Sequence, residues 1–321
     1  MTPTAPDTGR LRSSLSLDLD DAWTYLRAAG RPGWETAPTL VPLVCERLLA
    51  LLDRWRVRAT LFVITRDLDD PVRVEAIRPF VAAGHEIGCH SHWHHPHFAA
   101  LTRAEVESEV LGAADRIEAV LGVRPTGFRA PGFAQNPHTH DVLRAGGFRY
   151  DASLLATFVG PLARAFYFLR SGMSTEERRR RNAMFGNLGD VLRSQRPRML
   201  PGTPPLASLP VTVVPVLRTP FHTSYLLWLE GISRTLSRSY LGLGLGLCRA
   251  SSLAPSYLLH SLDFVGSEEA QGLGFFPGMQ LPWDRKREVL EHLLGRLTHC
   301  FDVGTVAEHA TSLPTARNRS S

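Results

Sequence analysis

Four cysteines are all the chain has, Cys45, Cys89, Cys248 and Cys300, and no two of them form a CxxC pair. Free, buried thiols are therefore expected, as in a reducing compartment. Long apolar runs are also missing. The best candidate, from Ser224 to Cys248, is broken by Glu230, Arg234 and Arg238 within the ~20 residues that a membrane span needs. Met1 to Arg10 is polar and no apolar stretch follows it, so no signal peptide is expected and a cytoplasmic location follows. No stripe of interleaved aromatic and basic residues is present, which argues against nucleic acid as a partner. The glycines of Leu241-Gly242-Leu243-Gly244-Leu245-Gly246-Leu247 do not form a nucleotide-binding GxGxxG, because Leu247 stands where the third glycine would fall. Close helix packing is the expectation there.

What is present is ordinary in bulk. Of 321 residues 44% are hydrophobic and 21% charged, enough for a full-sized core. Lys+Arg 36 against Asp+Glu 31 gives a net charge of +5, a mild attraction to anionic partners.

The organising stretch is Gly84-His85-Glu86-Ile87-Gly88-Cys89-His90-Ser91-His92-Trp93-His94-His95-Pro96-His97. His90 and His94 are four apart, a spacing that on one helical turn projects two imidazoles to the same side and lets them share an ion. A zincin carries Glu after the first of its histidines; Ser91 stands there instead, so a general base must come from elsewhere.

Leu15-Ser16-Leu17-Asp18-Leu19-Asp20-Asp21 alternates like a strand, with Asp18 and Asp20 on one face and Asp21 on the other. The spacing predicts a helix from Thr39 to Trp55, a doubly buried strand over Arg58–Ile64, a helix over Val74–Ala83 and a strand over Glu86–Cys89. Thr102 and Glu105 form a capping box for a helix to about Leu121, and Pro125–Gly132 enters a further strand and loop. Asn136-Pro137 opens another helix, and Phe148–Ser153 is the next strand. From Phe158 to Ser208 the rhythm fails and an inserted helical excursion is expected. Its run Arg178–Arg181 reads as a solvated face, or as a basic patch for phosphate groups or an anionic membrane. Leu209–Val216 resumes a strand, Ser224–Cys248 is mostly helix, Ser256–Phe264 is a strand ending in His260, Asp284 caps the last helix, and Phe301–Thr305 closes the fold.

This β-α alternation without internal repeat implies a parallel sheet, open or closed into a barrel. Asp18, Asp20, His90, His94, Arg129, Asp151 and His260 all fall at or just past the ends of predicted strands, where barrels keep their chemistry. Asp20, His90 and His94 offer one carboxylate and two imidazoles, a set suited to Zn²⁺ or another divalent transition metal (Co²⁺, Ni²⁺ or Mn²⁺). Asp18 can take the proton of an attacking water and His260 can protonate a leaving amine. Arg129 can pair with Asp18 and keep it ionised, and Asp151 can orient the imidazolium of His260. Together these parts describe hydrolysis of an amide.

In this order the motifs Asp18-Leu19-Asp20, His90-Ser91-x-x-His94, Arg129-x-Pro131, Tyr150-Asp151-x-Ser153-Leu154 and Leu258-x-His260 resemble those of the polysaccharide deacetylase (NodB-homology, carbohydrate esterase 4) family. Arg58–Val63 and Gly84–Gly88 are similar to that family's flanking strands. The resemblance implies a distorted (β/α)7 barrel over 13–310, with an insertion at about 158–250 and tails at 1–12 and 311–321. It implies a metal on Asp20, His90 and His94, base Asp18, acid His260, a substrate pocket at Trp93, Pro131, Gly132 and Thr212, and removal of an N-acyl group from an amino sugar. Family members mostly have adjacent aspartates, so Asp21 is an alternative ligand to Asp20. Leu209-Pro210-Val211-Thr212 is similar to a pocket strand of lipid-linked aminoarabinose deformylases. A sugar carried on a polyprenyl phosphate or a nucleotide, met at the inner membrane face, is the corresponding expectation. Two alternatives stand beside this one: an amidase for a small amide or ureide, which the intact triad argues against, and a non-catalytic metal-binding protein.

Overall fold

A computed structural model of the chain describes residues 9–158, 192–269 and 272–314. Strand β1 (Arg12–Leu19) is the centre of the sheet. Its odd positions, Leu15, Leu17 and Leu19, join the large core formed with the surrounding helices. Its even positions, Ser14, Ser16 and Asp18, are equally buried but meet polar partners, His309, Arg129 and again Arg129. A strand that alternates leucine with small polar or acidic residues thus serves two environments, a greasy helix layer outside and a polar interior.

The remaining strands are β2 (Thr60–Val63), β3 (Glu86–Cys89), β4 (Gly127–Phe128), β5 (Tyr150–Asp151), β6 (Arg198–Leu200), β7 (Leu206–Ser208), β8 (Ser256–His260) and β9 (Asp302–Gly304). They run in the order β6-β7-β5-β4-β3-β2-β1-β8, with β9 on the N-terminal end of β1. All pairings are parallel except β6 with β7. Between the sheet's two ends lies the extended segment 209–214. Val211 N–H donates to Leu154 O at 2.8 Å and Thr212 N–H to Ser256 O at 3.1 Å, so this segment spans the gap. The result is the distorted (β/α)7 barrel that the motif order implied.

Parallel pairing in register brings the strand ends level. Asp18 lies opposite both Phe62 and His260, Cys89 opposite Phe128, and Phe128 opposite Asp151. The next residue after β3 is His90 and the next after β4 is Arg129. The polar residues of five strands therefore meet at one mouth.

Several boundaries differ from the sequence expectation, each for a local reason. Leu209–Val216 makes only isolated bridges at Val211 and Val213, since Pro210 and Pro215 have no N–H to give a ladder. The helix expected over Ser224–Cys248 is two, α7 (Thr223–Ile232) and α8 (Arg234–Ala250) in a count where α1 is Ala22–Ala28, α2 Val41–Trp55, α3 Pro71–Ala82, α4 Arg103–Glu107, α5 Ala113–Leu121 and α6 Thr139–Ala145. Ser233 breaks it: its backbone is extended and its hydroxyl caps Leu236 N–H. Of the three alternating glycines in α8, Gly244 carries the close packing, since a Cβ there would meet the Phe221 ring at 2.3 Å. Gly242 and Gly246 face open space. Asn136 accepts from His138 N–H in the turn ahead of the helix and does not cap it: α6 starts at Thr139, with His138 as an N-cap that makes no side-chain bond, later than Pro137. The capping box at Thr102 and Glu105 forms, but the helix it opens passes through a π turn at Ser108–Gly112 before continuing as α5. The outer helices end with α9 (Trp283–Cys300) and α10 (Val306–Thr311). Most of the expected excursion, including Arg178–Arg181, and the outer parts of both tails lie outside the described residues.

Candidate metal centre and its surroundings

Asp20 follows β1, and its Oδ1 stands 3.6 Å from His90 Nε2 and 3.4 Å from His94 Nε2. All three ligand atoms lie within 4.8 Å of one another. Ligands 2.0–2.1 Å from a tetrahedral ion are about 3.4 Å apart, so the cluster is already near that spacing. Asp20 Oδ1 is buried with no hydrogen-bond donor among the described residues. Burial, and then the charges of Asp18, Asp67 and Asp21, push the Asp20 carboxyl well above the usual range. Burial likewise lowers His90, and burial with the neighbouring His90 lowers His94 well below an ordinary histidine. An acceptor that lacks a donor, facing two imidazoles held neutral, is a donor set that a divalent cation satisfies.

The tautomer agrees. His90 Nδ1 is 2.7 Å from the carbonyl of Arg129, a group that only accepts, so Nδ1 carries the proton and the Nε2 lone pair faces the cluster. Asp21 is engaged elsewhere. Its Oδ1 accepts from Ala22 N–H and Leu40 N–H, each at 2.7 Å, and its Oδ2 pairs with Arg73 at 2.8 Å. The cluster therefore takes Asp20 and leaves Asp21 as the cap of α1.

The two histidines do not meet on a helical turn, as their spacing had implied. Residues after β3 form an irregular loop in which Ser91 (φ 68) and His94 (φ 47) are left-handed. Such a backbone costs of order 1 kcal/mol per residue and persists only where surroundings impose it. Here His94 N–H donates to Ser91 Oγ at 3.1 Å, and Thr65 and Arg66 N–H donate to the carbonyls of Ser91 and His92. Glu109, in the π turn, accepts from His92 N–H at 3.1 Å and Trp93 N–H at 2.9 Å, and its other oxygen is 3.4 Å from His95 Nε2. Burial works against that carboxylate, but His95 and the Trp93 amide hold it below its ordinary value. Sequence reading missed Glu109, because its cue is a π bulge that no helical periodicity shows.

Asp18 makes a buried pair with Arg129, Nη1 to Oδ1 at 2.5 Å. Arg129 is wholly buried; it also donates to Ser16 Oγ at 3.0 Å and to Ala152 O at 3.1 Å, and lies 4.2 Å from the Phe62 ring centroid. Burial opposes the Asp18 charge, but Arg129, with His90 and His260, outweighs it and holds the carboxyl below its usual value. Asp18 Oδ2 is 4.0 Å from His90 Nε2, beside the cluster and outside it.

Asp151 is not brought to His260. Its Oδ2 is 2.9 Å from His140 Nε2, and its Oδ1 accepts from Ser153 N–H at 2.9 Å and from the Ser153 hydroxyl. Those bonds pin the β5 end, and Ser153 Oγ in turn accepts from Ala130 N–H. The neighbours of His260 are Ser224 and Asp263. Thr212 is also placed differently from expectation: its hydroxyl accepts from Ser256 N–H at 2.8 Å, at the opposite end of β8 from His260, and it is 1% exposed. It closes the barrel wall. Pro131 is buried in a turn where Gly132 adopts φ 55, and Trp93 lies 38% exposed in the histidine loop with Arg66 5.1 Å from its ring centroid.

Fold and site together define a NodB-type barrel with an Asp-His-His cluster, a charged Asp-Arg pair and a histidine at the carboxyl ends of its strands. Residues 15–150 match the family model described as polysaccharide deacetylase. That match takes in less than half of the chain. A peptidoglycan deacetylase of Helicobacter pylori is 31% identical over 128 residues, which are 40% of this chain and 41% of that protein. The chain thus spans less than half the length of the curated relatives it matches. Among solved structures, a candidate polysaccharide deacetylase from Mycobacterium smegmatis superposes with a TM-score of 0.60 at 20% identity, covering 98% of this chain and 93% of that one. A second, from Pseudomonas aeruginosa PAO1, has a TM-score of 0.56 at 17% identity, covering 94% and 89%. These two establish the fold.

Proposed function

We propose that the protein is a metal-dependent hydrolase that removes the N-acetyl group of an amino sugar. The observation that carries this reading is the pairing, at one barrel mouth, of the Asp20–His90–His94 cluster with an Asp18 held ionised by Arg129. Zn²⁺ suits the donor set best, one carboxylate oxygen and two imidazole nitrogens, and when bound it would supply Lewis-acid polarisation of the acyl carbonyl.

The chain's own residues have distinct tasks. Asp18 receives one proton from the attacking water, whose oxygen forms the new bond to the acyl carbon. His260 gives one proton to the amine as the C–N bond breaks, leaving acetate and a free amino group. Arg129 fixes Asp18 in place and charge. Trp93, at the rim, offers an apolar ring face to the sugar beside the reacting amide.

The Helicobacter pylori relative, a peptidoglycan deacetylase, provides the precedent for an N-acetylated amino sugar as substrate. Since Thr212 is engaged in barrel closure, the similarity of Leu209–Thr212 to a deformylase pocket strand adds nothing for a polyprenyl-phosphate or nucleotide carrier. A peripheral position at a membrane draws its support from Trp228, Ile232, Leu236 and Leu243, exposed on α7 and α8. No described helix is long and apolar enough to cross a bilayer.

The test is acetate release from a panel of N-acetylated amino sugars, free, in glycan, nucleotide-linked and lipid-linked, with chelator and with Zn²⁺ restored. Equal acetate release in metal-free and Zn²⁺-loaded protein would refute the reading.

A further inference from the structure

We propose that Ser224 and Asp263 are the positioning residues of His260, with the Ser224 hydroxyl relaying the Asp263 carboxylate to the imidazole. The role of His260 as acid rests on the deacetylase reading above; the relay itself rests on geometry alone.

Ser224 sits in the first turn of α7, 36 residues before His260 in the chain, yet its Oγ is 3.0 Å from His260 Nδ1 and 2.8 Å from Asp263 Oδ1. A hydroxyl has one proton to donate. Of the two acceptors on offer, a carboxylate makes the stronger, charge-assisted bond. Ser224 therefore donates to Asp263, and His260 Nδ1 must carry the proton that Ser224 Oγ accepts. The second oxygen of Asp263 accepts from His260 N–H at 2.8 Å. One carboxylate thus holds the histidine twice, directly at its backbone and through Ser224 at its ring.

The surroundings keep this arrangement in place. Asp263 is 1% exposed, in the 3-10 turn Ser261–Phe264 that follows β8. Lys286, also 1% exposed, reaches the same turn and donates from Nζ to Leu262 O at 2.7 Å. On the other side the His222 ring packs edge-on at 5.4 Å between centroids. Nε2 of His260 takes no hydrogen bond among the described residues. It is the nitrogen left for the leaving amine, and β1 register sets Asp18 directly opposite His260. When His260 gives up its Nε2 proton the Nδ1 proton stays where it is, so nothing passes to Ser224 or Asp263. They select a tautomer and stabilise the imidazolium, the task that a directly bonded carboxylate performs in other acid–base histidines.

The experiment is long-range ¹H–¹⁵N spectroscopy of histidine-labelled, Zn²⁺-loaded protein at a pH where histidines are neutral. Expected in the wild type is a His260 signature with Nδ1 protonated and Nε2 bare. It should be lost or averaged in Ser224→Ala and retained in Ser224→Thr, which keeps the hydroxyl. Asp263→Asn should weaken it. A wild-type His260 protonated at Nε2, or a signature unchanged in Ser224→Ala, would overturn the relay. In parallel, kcat for acetate release should fall about tenfold or more in Ser224→Ala with KM unchanged, and recover in Ser224→Thr. Spectra as expected with no acetate released from any substrate would refute the deacetylase reading and leave the relay standing; unaltered tautomers with robust turnover would do the reverse.

Discussion

Replacing Arg129 by Met separates the charge logic of the site from its packing. The guanidinium is wholly buried and its loss deletes the contact with Asp18 and the bonds to Ser16 Oγ and Ala152 O, leaving Asp18, 3% exposed, without its countercharge. Breaking one side of a buried pair costs about 3–5 kcal/mol, mostly through the orphaned charge, whereas Met refills much of the volume. Equilibrium denaturation of metal-free protein at pH 7 should therefore show a loss of about 4 kcal/mol for Arg129→Met. The sign of the pH dependence is the sharper test. In the wild type the folded Asp18 carboxyl lies below its unfolded value, so the pair's contribution is present above about pH 3.9 and is lost as pH falls through the folded pKa. In the variant burial, the largest single influence on Asp18, is opposed only by His90 and His260, and the carboxyl is expected to rise above its unfolded value. The folded state then gains as pH falls toward 4.5, and the deficit against wild type shrinks. Asp18→Asn/Arg129→Met should recover a large part of the single-variant loss, since no charge is left unpaired. A deficit constant from pH 7 to 4.5, with no recovery in the double variant, would refute the argument.

Removing a ligand should weaken Zn²⁺ binding far more than removing a bystander: His94→Ala is expected to lose more than about a hundredfold by competitive chelation, and His97→Ala less than about threefold. Equal losses would favour a binding tract over a defined centre. Glu109→Ala frees the backbone of the left-handed loop without touching a ligand, so affinity should drop by about 10–100-fold while the fold persists; an unchanged Kd would show that the loop holds its shape alone. His309 is buried against Ser14 with its pKa lowered to about 4 from 6.5, chiefly by burial. A histidine depressed in the fold stabilises it above its unfolded pKa, so about 3 kcal/mol should be lost as pH falls from 6.5 to 4. His309→Asn should lack that slope, and an identical slope in the variant would remove His309 as its source.

The polar residues at strand ends were legible because parallel β-α alternation puts every carboxyl end at one mouth; Asp18, Asp20, His90, His94, Arg129 and His260 needed no contact information to be placed there. Asp151 misled, because a carboxylate at a strand end says nothing about which histidine it meets. His140, eleven residues away, takes it. Asp263 carried a faint cue, standing three residues after His260 in the spacing of a capping box, and indeed accepts the His260 amide. Ser224 carried none.

From the sequence alone followed the strand and helix rhythm, the end of the strands at which the candidate site gathers, and the two histidines with an aspartate after β1 as candidate cation donors, since these depend on period and spacing along the chain. Only the tertiary structure decided that Asp20 rather than Asp21 joins the histidines, that a strained loop held by Glu109 rather than a helical turn brings them together, that Thr212 closes the wall, and that Ser224 and Asp263 stand behind His260. Each of those choices is made by hydrogen bonds between residues brought together by sheet register and helix packing. A local pattern cannot specify which of several chemically equivalent partners will be within 3 Å.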